Sequence, residues 1–386
     1  MLLNNCCNKK LTRESLFSDK LIFIMKYLFT SFLGLFFLSN LTAQNNFILL
    51  GKVLNETTGT PMVAASVFAQ NTTIGTVTDE NGNFKLSLPQ GGYDLVVTFT
   101  GYKTESRRIT TADAGEAINV SLKAKEKEME TVAITSTNEV KDGLEKYGQF
   151  FNEEFIGKTN NSKSCKIQNA GVLHFFFSKK RNRLKITSAE PLIIKNNALG
   201  YNIKYTIDSF THEYNNGTSI YSGSPLYEEM AGDSTQIIMW QANRKAAYNG
   251  SLLHFMRSVY NKNLKEQQFE IQFIVQQNGI DNAIKLKDLY GAINFEKDDS
   301  TQTVEILPNQ KDIGILFMGE KPVDAYISTH PTEPKGFKFS MLGFKPFESI
   351  VIEQNGYFYD QNNLAISGYW AWEKVAEQLP YDYKAD

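Results

Sequence analysis

Four histidines, three cysteines and two short basic runs are the first places to look for chemistry in this 386-residue chain. His330 and Glu333 stand three apart in His330-Pro331-Thr332-Glu333, a spacing that lets one turn offer two ligands to a zinc ion. Catalytic zinc takes three protein ligands and keeps a fourth position open. The other histidines, His174, His212 and His254, all lie upstream, so no downstream histidine completes the set. Gly157-Lys158-Thr159 ends like a phosphate-binding loop, which needs another glycine five residues earlier so that bare backbone wraps the phosphate. Asn152 stands there. No Gly-x-Ser-x-Gly and no Ser-x-x-Lys occurs, so the common serine-nucleophile signatures are missing. Cys165, between Lys163 and Lys166, has the company that favours a thiolate, yet Cys165 and Ile167 also fit the inward face of a strand, where a thiol is inert. No cofactor-binding motif is present.

Two groups of basic residues remain. Lys179, Lys180, Arg181 and Arg183 form a run suited to phosphates of lipopolysaccharide or another anionic glycan, and equally to the solvated tip of a hairpin. Arg244, Lys245, His254 and Arg257 form a second candidate anion or glycan site if they converge; His254 and Arg257, three apart, share a helical face. That face also reads as the polar side of an amphipathic helix. Asp79 to Asn83 resembles a calcium loop in composition, but it is too short for an EF-hand and lies between strands, where it reads as a turn.

The elements that would position these residues follow from periodicity. Phe47, Leu49 and Val53, then Phe84, Leu86 and Leu88, then Tyr93, Leu95, Val97 and Phe99, then Ile118, Val120 and Leu122 alternate with polar or small residues. A period of two marks strands with one buried face. Turn-formers at 55–61, Asp79-Glu80-Asn81-Gly82, Pro89-Gln90-Gly91-Gly92 and Gly101 separate them. Short strands this dense predict an all-β sandwich over residues 45–123. A charged linker, 124–138, follows, with a short strand at 129–135. From 139 on the pattern mixes. A helix is expected over 139–156 on Leu144, Tyr147, Phe151 and Phe155. Ser251 caps another that carries Leu252, Leu253, Met256, Val259 and Tyr260, and a last short helix runs from Trp370 to Leu379. Strands are expected at 172–177, 184–188, 203–210, 237–241, 269–276, 303–307, 313–318 and 349–353. Residues 139–386 thus read as an α+β domain with a mostly antiparallel sheet.

Gly51-Lys52-Val53, Pro61, Ala65-Ser66-Val67, the run from Gly75 to Phe84, Gly92-Tyr93 and Gly101-Tyr102 resemble the carboxypeptidase-regulatory-like domain family. The resemblance implies a transthyretin-like sandwich, a place in the cell envelope of Bacteroidota, often at the N-terminus of TonB-dependent receptors, and no catalytic residue. Residues 129–135 resemble the short strand that follows this domain in such receptors, but no plug signature succeeds it. Too few residues remain for a 22-stranded barrel. Phe155–Thr159, Glu190–Leu192, Asn197–Tyr201, Tyr248–Ser251 and Leu379–Tyr383 resemble uncharacterised Bacteroidota proteins that carry the same sandwich.

Bulk properties set the compartment. Formal charge is −2; residues 1–44 hold five basic and two acidic side chains, which leaves the remainder at −5. An acidic chain lacks the Lys/Arg footprint of a nucleic-acid binder. Lys26, the uncharged run Leu28–Leu38 and Thr42-Ala43-Gln44 have the anatomy of a signal peptide over 25–44, with 1–24 as an upstream-start extension. That apolar run is shorter than the roughly 20 residues a spanning helix needs, so the mature chain is expected without a transmembrane span. Cys6 and Cys7 precede the signal, leaving Cys165 alone and no internal disulfide. The leading expectation is an exported protein of the periplasm or outer membrane: a non-enzymatic structural or adaptor module whose partners are envelope proteins or glycans. A carbohydrate-binding protein, suggested by 12% aromatic content with Trp370 and Trp372, and a hydrolase with an unrecognised site are the alternatives.

Overall fold

The computed structural model describes residues 46–125 and 138–385, apart from 189 and 360. The leader, the 129–135 strand and most of the linker lie outside the described residues. From Asn46 onward the chain forms one compact unit.

Alternation builds the expected sandwich. Asn46–Asn55 pairs antiparallel with Asn83–Pro89 and parallel with Ala117–Leu122. The facing sheet runs Gly75–Val77, Ser66–Ala69, Tyr93–Thr98, Glu105–Ile109, all antiparallel. Phe47, Leu49, Val53, Phe84, Leu86, Leu88, Tyr93, Leu95, Val97, Ile118, Val120 and Leu122 fill the space between the sheets. Gly51 is the small member of this inward series. A Cβ there would lie 2.3 Å from the Phe84 ring, so the missing side chain is the seat of that phenyl. The 79–83 segment is a turn in which the Asp79 carboxylate accepts from the Asn81 and Asn83 amides. The second sheet is also covered on its outer face. Phe68 and Val96, opposite in parity to the core residues, pack against Leu226 of the next region.

The α+β region contains two cores. In the first, the long strand Tyr201–Glu213 pairs along one edge with Leu192–Asn196 and then Arg183–Ser188, and along the other with Thr218–Glu229. Cys165–Ile167 and Leu173–Ser178 complete this antiparallel sheet of six strands. The Gly143–Phe155 helix lays Phe151 and Phe155 on it. The helix begins later than expected, and Leu144 is exposed. In the second core, Ile280–Lys285, Phe269–Gln277, Asp312–Phe317, Lys338–Phe344 and Leu364–Gly368 form a five-stranded sheet. Glu296–Asp298, Thr303–Ile306 and Ile350–Ile352 form a small companion sheet. The Leu252–Tyr260 helix inserts Phe255, Met256 and Val259 there, with Ser251 capping it by accepting from the His254 amide.

Two expected elements differ. Residues 237–241 belong to the Ser234–Tyr248 helix and not to a strand. Asp233 and Gln236 form a reciprocal capping box at its start, and this fixes helical geometry before the apolar run begins. Ile237, Ile238 and Met239 face outward while Trp240 turns inward. The closing helix from Trp370 to Leu379 is interrupted: one turn covers Tyr369–Trp372 and a 3-10 turn covers Val375–Glu377.

Candidate functional site

The sandwich and the α+β region share a polar seam, and it decides what several ionisable side chains do. On the sandwich side, the Asn71 amide donates to the Pro225 carbonyl at 2.8 Å, and the Tyr227 amide donates to Thr72 at 2.9 Å. Asp382 accepts from both the amide and the hydroxyl of Thr73. The Tyr381 amide donates to Asn71 at 2.7 Å. Farther along, Tyr357 donates its hydroxyl to Asp94 at 2.7 Å, and Asn355 donates to the Gly92 carbonyl at 3.2 Å. Glu353, almost fully buried, accepts from the Tyr359 hydroxyl, and the Arg108 guanidinium lies over that tyrosine ring. Burial raises the Glu353 carboxyl above its ordinary value, against the pull of Tyr359 and Arg108.

Arg257 belongs to this seam. Its Nε donates to the Asn355 carbonyl and its Nη2 to the Tyr381 carbonyl, both at 3.0 Å. Those two segments are the ones that grip the sandwich, so Arg257 acts as a brace. His254 is buried one turn earlier. Its Nδ1 accepts from the Gly250 amide at 3.1 Å and its Nε2 lies 2.9 Å from Gln267 Oε1, an arrangement that requires a neutral ring protonated at Nε2. Burial lowers its pKa in the same direction.

Arg244 lies elsewhere. Its guanidinium lies 3.9 Å from the Tyr201 ring centroid and donates to the Leu199 carbonyl at 2.7 Å, the Gly200 carbonyl at 3.3 Å and Glu229 at 2.8 Å. Arg244 and Lys245 line a partly open cleft of about 530 Å³ together with Thr73, Glu229, Gln241, Asp382, Tyr383 and Lys384. The Tyr248 ring lies 4.7 Å from His254, 5.5 Å from Arg257 and 5.7 Å from Tyr383. The four residues therefore do not converge: Arg257 braces the seam, His254 bonds to Gly250 and Gln267 within the body, and Arg244 and Lys245 border the cleft. Sequence reading missed the cleft's other walls, Thr73 and the segment from Pro380 to Lys384.

The remaining basic run does not line this cleft. Lys179, Lys180 and Arg181 are exposed at the turn between Leu173–Ser178 and Arg183–Ser188, and Arg183 pairs with Glu213. Cys165 is 8% exposed, and burial pushes its thiol up to about 12. His330 stacks on Tyr326 at the end of a short helix, and among the described residues no group of three or more His, Cys, Asp or Glu is placed to hold a metal. A serine–histidine contact that no motif announced occurs at Ser219, 2.8 Å from His212 Nδ1. Ser219 donates to Glu154 at 2.9 Å, which leaves its oxygen to accept from the imidazole, the reverse of the order in a catalytic triad.

Two acids near Lys338, Glu373 and Glu377, are perturbed. Glu373, Glu377 and Glu320 surround Lys338, whose Nζ pairs with Glu320 at 2.9 Å and donates to the Asn249 carbonyl at 3.3 Å. Burial pushes Glu373 up to about 8, opposed by Lys338 and reinforced by Glu377 and Glu320. Glu377 is also raised by burial, although Thr159 and Asn161 bond to it. None of these three acids lines the cleft beside Arg244.

Residues 49–134 match the CarboxypepD_reg-like domain family. The TonB-dependent receptor SusC of Bacteroides thetaiotaomicron is 33% identical over 119 residues, 31% of this chain and 11% of the receptor. The TonB-dependent receptor P39 of Formosa agariphila is 32% identical over 132 residues, 34% of this chain and 12% of its own. The chain thus spans 11–12% of the length of these curated relatives. Among solved structures, a DUF3823 family protein from Bacteroides ovatus aligns over 48% of this chain and 82% of its own, with 12% identity and a TM-score of 0.17. No helix among the described residues is long and apolar enough to cross a membrane. The sandwich whose outer face is joined to the α+β body is a CarboxypepD_reg-like domain.

Proposed function

We propose that this is an exported protein of the Bacteroidota cell envelope, held in the periplasm or at the outer membrane, and that it works as a non-enzymatic structural or adaptor module. The observation that carries this reading is the use made of its ionisable groups. Arg257, Asp94, Asp382, Glu353 and Arg108 join the sandwich to the body, His254 is held neutral inside it, and the Ser219 hydroxyl donates to the Glu154 carboxylate. A hydrolase needs such groups facing substrate. The two curated relatives, which are TonB-dependent receptors by name, support the envelope address.

The carbohydrate-binding alternative draws less support. Sugar-stacking platforms are exposed rings, whereas Trp240 and Trp370 are buried with their indole N–H groups bonded to Asn197 and Gly250, and Trp372 packs on Tyr326 and Tyr369. Fractionation of the native organism, with mass spectrometry of the mature N-terminus, and a chromogenic panel of esters, phosphoesters, peptides and glycosides test the proposal. It expects envelope recovery, a start near residue 45 and no turnover. Cytosolic recovery, or hydrolysis that tracks the purified protein, overturns it.

A further inference from the structure

The cleft beside Arg244 has a charge arrangement that the fold itself does not use. Its two carboxylates are already engaged: Glu229 accepts from Arg244, and Asp382 accepts from the Thr73 amide and hydroxyl. Lys245, on the Ser234–Tyr248 helix, and Lys384, in the C-terminal segment, are exposed and line the same hollow, and neither makes an ion pair among the described residues. They are 139 positions apart in sequence. The Gln241 amide is exposed on the same wall, one turn of helix before Lys245, and the Tyr201 and Tyr383 rings border it. At about 530 Å³ the hollow falls within the usual ~300–1,000 Å³ of small-molecule sites, and it occupies the junction of two folded parts, where such sites concentrate.

We propose that this cleft binds a small hydroxylated organic anion. The acidic group, a carboxylate or a phosphate, lies between the Lys245 and Lys384 ammonium groups. Hydroxyls reach Gln241 and the outer oxygens of Glu229, and the apolar face of the ligand rests on the Tyr383 ring. Because Arg244 is held by two carbonyls and Glu229, it shapes the wall, and the two lysines carry the selection for charge. This goes beyond the envelope role above and does not depend on it, since the site is assembled by the fold wherever the protein resides.

Isothermal titration of the mature chain, residues 45–386, with glucuronic acid, glucose 6-phosphate and glucose tests the inference. Binding by one or both acidic probes but not by glucose is expected, weakening as salt is raised. Preference between the two acids identifies carboxylate or phosphate as the anchor. The Lys245→Ala/Lys384→Ala double variant, altered only at exposed positions, is expected to keep its melting temperature and lose about tenfold in affinity, the scale of two exposed ion pairs. Equal binding of glucose, no binding of either acid, or unchanged affinity in the double variant overturns the proposal. None of these results bears on where the protein is located, so failure here leaves the envelope reading standing.

Discussion

Replacing Glu373 with glutamine should make the protein more stable in alkaline solution and leave it nearly unchanged in acid. Burial raises this carboxyl from 4.5 to about 8, with Lys338 opposing the shift and Glu377 and Glu320 adding to it. Between those two pH values the unfolded chain has already released the proton while the folded chain retains it. Stability therefore falls as pH rises through this window and levels off above it. At 1.36 kcal/mol per pKa unit the full shift corresponds to about 4–5 kcal/mol. Glu373 keeps part of its surface in water, so solvent screening reduces the figure to roughly 2–3 kcal/mol. Glutamine matches the protonated acid in shape and does not ionise. Guanidinium unfolding of the wild type and Glu373→Gln at pH 5 and pH 8.5 reads the difference: near-equal midpoints at pH 5, and a variant more stable by about 2–3 kcal/mol at pH 8.5. Parallel stability–pH curves for the two proteins would refute the reasoning, because they would mean that Glu373 titrates in the folded protein as it does in the unfolded chain.

Three further outcomes follow from the packing. Tyr357→Phe and Asp94→Asn should couple in a double-mutant cycle by about 1.5 kcal/mol, since the 2.7 Å bond between them has a charged acceptor; coupling indistinguishable from zero in denaturant titrations would remove this bond from the seam. Gly200→Ala should cost about 3 kcal/mol in thermal or chemical unfolding, because Gly200 has φ +71° and an added Cβ would lie 2.3 Å from Trp240; a silent substitution would contradict the Trp240 packing. Cys165 should react with a thiol reagent only as the protein unfolds, given 8% exposure and a thiol raised to about 12; rapid labelling of the native protein at pH 8 would show that the strand carrying it opens.

The sandwich was legible because each strand buries one face, and a period of two survives in sequence as plain alternation. Leu95-Val96-Val97 breaks that alternation, and the break has meaning: Val96 lies on the outer face and is buried by Leu226, so three apolar residues in a row signalled a strand covered on both sides. The capping box of Asp233 and Gln236 was equally visible, yet the apolar run Ile237-Ile238-Met239 dominated the reading. In the folded helix those three residues point to solvent, so hydrophobicity without a buried face misled where local hydrogen bonding did not. The short helix at 369–372 ends because the chain straightens at Glu373 and Lys374 to carry Val375, Ala376 and Leu379 into the first core, a demand no local pattern encodes.

The roles of the basic residues were not legible for a different reason. Ser251, His254 and Arg257 occupy the positions that their spacing predicts, but what Arg257 does is set by carbonyls 98 and 124 residues away. Those carbonyls belong to residues that also hydrogen-bond to the sandwich, Asn355 to Gly92 and Tyr381 to Asn71. A single arginine thus reports whether the two folded parts are engaged, and its guanidinium bonds to main chain only at that junction. The same distance in sequence hides the cleft, whose walls come from a sandwich turn, a helix and the 380–384 segment. Composition and spacing reveal which side chains exist and which face they share. The long-range register of the seam determines whether Arg257 meets a ligand or a carbonyl, and here it meets two carbonyls and leaves Lys245 and Lys384 to face the solvent-filled side.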